Sequence, residues 1–164
     1  MTNDEFENLI IQQKNRLYRF AFSILKNREE AEDAVQEIVL KLWSKRLSLQ
    51  IDKNIESFCM QSVKNHCFDV LRKRTQDLNY KNKAILNFAE NLNFENIDLV
   101  EKIKIEVQNL STQQRMAIEL KDFQGYDYDE ISEILEMSVN SIRVNVSRGR
   151  KKLYEIFKEE LKNG

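Results

Sequence analysis

Proline is missing from this chain altogether, and glycine occurs only at Gly125, Gly149 and Gly164. Sheets joined by tight turns draw on both residues, so their scarcity points to an all-helical protein. Histidine appears once, as His66, and cysteine twice, as Cys59 and Cys67. That set lacks the ligand spacings of a zinc site, and no metal site is expected. If the two cysteines share one helix, their offset places them about 12 Å apart along its axis. A disulfide needs Cα atoms about 4.4–6.8 Å apart, so free thiols are expected. No uncharged apolar run approaches the roughly 20 residues that cross a membrane. The opening MTNDEFENL has no basic patch ahead of an apolar core, so no signal peptide is expected either. These absences make the cytoplasm the expected location. The Asp and Glu residues lie on helical polar faces, with no histidine, cysteine or glycine-rich loop to organise a site. No catalytic residue, no cofactor and no enzymatic activity are expected.

What is present is charge and helical periodicity. Charged residues make up 32% of the 164 and apolar residues 41%, as in soluble globular proteins, and the length suits one ordinary domain or two very small ones. The formal net charge of −1 conceals a local asymmetry. Residues 101–137 hold nine acids against four bases, after which Ser138 to Tyr154, SVNSIRVNVSRGRKKLY, holds five bases and no acid. A phosphate backbone meets a face of a protein, so the local run outweighs the total.

Apolar residues recur at helical spacing in two blocks. In the first block, Phe6, Leu9, Ile10, Leu17, Phe20, Ala21, Ile24 and Leu25 mark one helix, broken by Gln13 and Lys14, with Asp4 or Asn3 as its cap. Asn27 offers a turn and cap before REEAEDAVQEIVLKLW. There Ala31, Ala34, Val35, Ile38, Val39, Leu42 and Trp43 form the apolar side, while Glu32, Asp33, Gln36 and Glu37 crowd the polar one. A third helix is expected from about Asn54 to Arg74, with Phe58, Cys59, Val63, Cys67, Val70 and Leu71 inward. The fold expected is all-α, two small helical domains joined by a linker: residues 1–75, a linker over 76–98, and 99–164. The linker is punctuated by asparagine, with Ile85, Phe88 and Leu92 able to form a short docked helix. In the second block Ser111 is placed to cap TQQRMAIELKDF, with Gln114 completing a capping box, and Gly125 ends that helix. YDEISEILEM follows, packing on Ile131, Ile134 and Leu135, and Ser138 caps the basic run. Two helices joined by a short turn, the second one basic, form a helix-turn-helix.

In such a motif the second helix enters the major groove with its N-terminal residues towards the base edges. Those residues are Val139, Asn140, Ser141, Arg143, Val144 and Asn145, while Ile142 and Val146 form the core face. Arg pairs with guanine, Asn with adenine and an apolar side chain with a thymine methyl. Arg148, Arg150, Lys151 and Lys152 come later and suit phosphate contacts.

LSTQQRMAIELKDFQGYDYDEISEILEMSVNSIRVNVSRGRKKL, residues 110–153, resembles the −35-binding domain of bacterial sigma factors, most closely the small extracytoplasmic-function (ECF) group. NREEAEDAVQEIVLKLW resembles that group's helix for core RNA polymerase, and SFCMQSVKNHCFDVLRKR its helix that reads and opens the −10 element. The three follow the family's order and spacing. The resemblance implies a specificity subunit whose partners are core RNA polymerase and promoter DNA. It implies that Glu32, Asp33, Gln36 and Glu37 dock on polymerase, a role that suits their acidity. It also implies that Lys64 and Asn65 sit near the exposed −10 strand and that Arg72, Lys73 and Arg74 engage phosphate, with Asp69 one turn on from Asn65 to orient it. The loop Ser44 to Lys53 matches the element that receives a flipped −10 base, and Phe58, read first as core, is alternatively a stacking platform for an unpaired base. Relatives are held inactive by an anti-sigma factor, often membrane-anchored, and such a partner is expected here. The family often has proline where this chain has Ser111, and Leu-Gly or Gly-Ile where it has Glu136 and Met137. A changed helix angle or promoter preference is the expected consequence. The rival reading is a two-domain helix-turn-helix regulator acting without polymerase, which gives VKNHCFDVLRKR and the acidic face no role.

Overall fold

The computed structural model describes residues 1–52, 54–77 and 98–162. The short helix expected around Ile85, Phe88 and Leu92 and the loop end at Lys53 lie outside the described residues. Among those described, all regular structure is helical. Numbered in chain order, the helices are α1 (Asn3–Leu25), α2 (Arg28–Ser44), α3 (Ile55–Gln76), α4 (Leu99–Val107), α5 (Thr112–Ile118), α6 (Tyr128–Leu135) and α7 (Val139–Lys162).

Local chemistry starts and stops these helices. The cap of α1 is Thr2, one residue before the candidates read from sequence: its hydroxyl accepts from the Glu5 N–H and the Glu5 carboxylate accepts from the Thr2 N–H. Thr2 holds the extended backbone a cap requires, whereas Asn3 and Asp4 are already helical. Lys26 ends α1 in the left-handed region (φ 56°), and Asn27 caps α2 by accepting from Glu30 N–H at 2.9 Å. Ser111 caps α5 through the Gln114 N–H, but the Gln114 side chain does not reach back; its Oε1 instead faces the Lys152 ammonium at 3.3 Å. A π-helical turn, Glu119–Phe123, extends α5, and Gly125 closes it with φ +77°.

Helices α1, α2 and α3 pack as a three-helix unit around Leu17, Phe20, Ile24, Ala34, Ile38 and Val63. Gln13, which interrupts the apolar pattern of α1, is itself buried and donates to Glu56 Oε1 on α3 at 2.8 Å. Trp43 packs edge-on against Phe6 at 5.3 Å between ring centroids, with Arg46 over its face. Phe58 departs from expectation: it is 41% exposed. The inward stripe of α3 runs through Cys59, Val63 and Cys67 at intervals of four. Residue 58 lies about 100° round the helix from Cys59. Both thiols are buried and free, and burial pushes Cys59 up to about 11 and Cys67 up to about 12.

The second unit is built on α5, α6 and α7, with α4 against α7. Its centre is Ile118, Leu120, Ile131, Ile134, Ile142 and Val146. Gly149 lets α7 close on α5: a Cβ there would stand 3.0 Å from Ile118 Cγ1. The two units also touch one another, α5 against α1 and α6 against α3.

Candidate nucleic-acid interface and its acidic counterpart

The helix-turn-helix comprises α6, the turn Glu136–Ser138 and α7. Asp127 and Glu130 exchange capping bonds of 2.8 and 3.0 Å at the start of α6. At the start of α7 the Ser141 N–H donates to Ser138 Oγ at 3.1 Å. The turn is tight enough to need a left-handed residue, and Glu136 supplies it with φ 54°, a conformation glycine adopts at less cost. Ile142 and Val146 point into the core, which turns Asn140, Ser141, Arg143 and Val144 out to solvent. Asn145 is half-buried, and its amide donates to the Ser141 carbonyl at 2.9 Å. The Arg143 guanidinium stands over the Tyr128 ring, 5.1 Å from its centroid.

The residues expected at phosphate divide into two kinds. Arg148 and Lys151 are exposed beside a shallow groove between α4 and α7. Arg150 is tied to Asp122, with Nε donating at 3.0 Å, and Lys152 leans on Gln114.

On α3, Asn65, Arg72 and Lys73 are exposed, but Lys64 is not. Its side chain is only 8% exposed and its ammonium lies 3.1 Å from Glu136 Oε2, in the turn of the helix-turn-helix. Arg74 donates to the Leu25 carbonyl at 3.1 and 3.2 Å and pairs with Glu30. Asp69 pairs with Arg72, three residues on, where an orienting contact to Asn65 was expected; a cation on the same helix face outbids a neutral amide. An open cleft of about 700 Å³ between α3 and the second unit is bordered by Lys64, Asn65, Asp69, Arg72, Met116 and Leu135.

The acidic counterpart lies on α2. Glu32, Asp33, Gln36 and Glu37 are all exposed, and Glu32 accepts from Arg28 Nε at 3.2 Å. The buried side chains of that helix, Ala31, Ala34, Val35, Ile38 and Leu42, face the other way.

One residue that joins the units escaped the sequence reading. Arg115 is 5% exposed and donates to the Ser23 carbonyl (2.7 Å) and the Ile24 carbonyl (3.4 Å) near the C-terminus of α1, to Leu110 (2.6 Å) and to Thr112 Oγ1 (3.3 Å). Burial pulls its guanidinium down to about 10, which leaves it charged at neutral pH. The carbonyl end of a helix is where a cation is favoured. Its sequence signal is faint: Arg115 adjoins the mostly apolar stretch Met116 to Leu120. Gln61 and Gln124 add bonds between units, to the Glu133 and Arg16 carbonyls.

Among the described residues, no helix is long and apolar enough to cross a membrane, and no cluster of His, Cys, Asp or Glu is placed to hold a metal.

Residues 9–76 match the family model for sigma-70 region 2, and residues 106–153 that for sigma-70 region 4. The chain is 24% identical to the ECF RNA polymerase sigma factor SigW of Bacillus subtilis, over 92% of this chain and 87% of that one. It is 26% identical to SigV of the same organism, over 93% and 91%. Among solved structures it superposes on the sigma factor RpoE of Bartonella quintana, determined in complex with the anti-sigma factor NepR. The TM-score is 0.75 at 25% identity, covering 94% of this chain and 97% of that one. CnrH, solved with the cytosolic domain of CnrY, shares the fold, with a TM-score of 0.65 over 96% and 90%. With both regions matched in order and relatives of one kind spanning nearly its whole length, this chain belongs to the ECF group of sigma-70-family RNA polymerase sigma factors.

Proposed function

We propose that this sigma factor directs transcription initiation through three surfaces, each carried by one helix. The exposed acidic face of α2 (Glu32, Asp33, Gln36, Glu37) docks on core RNA polymerase, where charge complementarity sets register and partner choice. The N-terminal half of α7 enters the major groove of the −35 element, with Asn140, Ser141, Arg143, Val144 and Asn145 towards base edges and Arg148, Arg150, Lys151 and Lys152 towards phosphate. Helix α3 engages the −10 element through Lys64, Asn65, Arg72, Lys73 and Arg74. The exposed Phe58 on that helix offers an unpaired base a ring to stack on.

Residues 1–75 act as the polymerase and −10 domain, 76–98 as the linker and 99–164 as the −35 domain. The catalytic centre is polymerase's, and this chain contributes binding alone. The RpoE neighbour was solved with an anti-sigma factor, and a partner of that kind is the expected inhibitor of this chain. The observation that carries this reading is the outward row Asn140, Ser141, Arg143 and Val144 on a capped recognition helix.

The test is transcription in vitro with purified core polymerase on a library of promoter fragments. One promoter class should be transcribed only when the chain is present. If instead the chain bound its site alone and never redirected polymerase, it would be a free-standing regulator.

A further inference from the structure

The ring of Tyr128 carries two cations, one of them the proposed base reader. The Arg143 guanidinium carbon lies 5.1 Å from its centroid and the Lys121 ammonium 4.6 Å. The ring is firmly placed. Tyr128 is the first residue of α6, whose start is pinned by the reciprocal Asp127–Glu130 bonds. Across the motif, α7 is seated on α5 where Gly149 meets Ile118. Arg143, by contrast, is an exposed side chain early in α7. The nearby guanidinium of Arg150 is occupied by Asp122 in a two-bond pair.

We propose that Tyr128 is a positioning residue for base recognition: its ring holds the Arg143 guanidinium at the mouth of the recognition helix, ready for the paired acceptors of a guanine edge in the major groove. A planar guanidinium stacks on an aromatic face and presents its fork in a fixed plane, so little rotamer freedom remains to be lost on binding. Lys121 lies over the same ring but is a point charge without a fork, suited to phosphate. The proposal deepens the reading of Arg143 as a base contact and rests on it.

The experiment uses holoenzyme reconstituted with core polymerase, selecting from duplexes randomised over the upstream promoter element. Arg143→Ala should relax preference at one base pair. Tyr128→Leu should relax preference at that same base pair by about two- to fivefold, the effect of losing an exposed cation–π contact. Tyr128→Phe, which keeps the ring, should leave preference intact, and the Tyr128→Leu/Arg143→Ala pair should lose no more than Arg143→Ala alone. Pentafluorophenylalanine at position 128 keeps the shape but not the electron-rich face; it should behave like leucine, and it decides the matter if the leucine variant fails to fold. If Arg143→Ala relaxes preference while both ring-perturbing variants retain it, Tyr128 does not position Arg143 and the base contact stands without it. Uniform weakening on every sequence would likewise overturn the proposal, leaving Tyr128 a packing or phosphate residue. If Arg143→Ala itself leaves preference unchanged, the base-reading role falls and the proposal with it.

Discussion

The long basic helices of the two units, α3 and α7, carry similar side chains in opposite circumstances. On α7 one face is buried through Ile142 and Val146, while Arg143, Arg148 and Lys151 are exposed on the other. On α3 three of the four Lys and Arg side chains are already engaged: Lys64 with Glu136, Arg72 with Asp69, Arg74 with Leu25 and Glu30. The second unit lies against α3 through α6, and the outer face of α7 stays exposed. Composition does not distinguish these helices; their neighbours do. On the proposed reading α7 meets duplex DNA with side chains already exposed, whereas Lys64 would first have to part from Glu136. The N-terminal unit carries an exposed acidic face on α2, and the C-terminal unit carries exposed acids on α6, Asp129, Glu130 and Glu133 among them.

That division of labour can be broken most severely on α2. Replacing Asp33 and Glu37 together by Lys reverses two exposed charges and leaves the buried stripe of Ala31, Ala34 and Ile38 untouched. Like-charge contact at a docking surface costs several kcal/mol. Loss of co-purification with core polymerase is expected, with circular dichroism and melting nearly unchanged. Retention of wild-type affinity would make this face ordinary solvated surface.

The joint between units is the next target. Arg115→Met should cost about 2–3 kcal/mol, because it strips hydrogen bonds from the buried carbonyls of Ser23, Ile24 and Leu110. Urea unfolding of the full chain measures it. If the joint is as tight as these bonds imply, the solution radius of gyration should grow as well. A variant that melts early but scatters as the wild type would place the role of Arg115 within its own unit, through Leu110 and Thr112.

On α7 the expected effects are smaller and differ in kind. Arg143→Ala should cost about 1–3 kcal/mol at one base step, while Lys151→Ala should weaken all duplexes alike and lower the salt slope by about one. Holoenzyme binding at several salt concentrations separates the two. An exchange of these phenotypes would reverse the assignment of reader and clamp.

The mildest change tests the contrast itself. Glu136→Gly removes a left-handed non-glycine residue and the acid that pairs with Lys64. Glu136 is largely exposed but Lys64 is buried, so the lost pair costs about 1–2 kcal/mol, and relief of the left-handed backbone offsets part of it. Stability should stay within that margin, while acylation of the Lys64 amine, followed by mass spectrometry against Lys73 as reference, should quicken. Unchanged Lys64 reactivity would show that packing of the units, and not Glu136, covers it.

Much of this protein was legible in its residue order. Helix starts at Asn27, Ser111 and Ser138, the left-handed Gly125 and the outward row from Asn140 to Val144 follow from interactions within a few residues. The acidic face of α2 was legible too, because a helical period sorts side chains by position alone. Phe58 was misassigned for a local reason, since a residue beside a core stripe reads as part of it until its angle is known.

What tertiary structure decided is which charges are spent. Arg115 and Ser23 are 92 positions apart, Lys64 and Glu136 72, and Arg150 and Asp122 28. No pattern of periodicity or spacing pairs residues at such distances. An ion pair or a buried arginine depends on two surfaces meeting, and that meeting is set by the packing of whole helices. Sequence therefore sorted most side chains to one face or the other of each helix, and the packing of helices, within each unit and between them, determined which of the outward charges are paired.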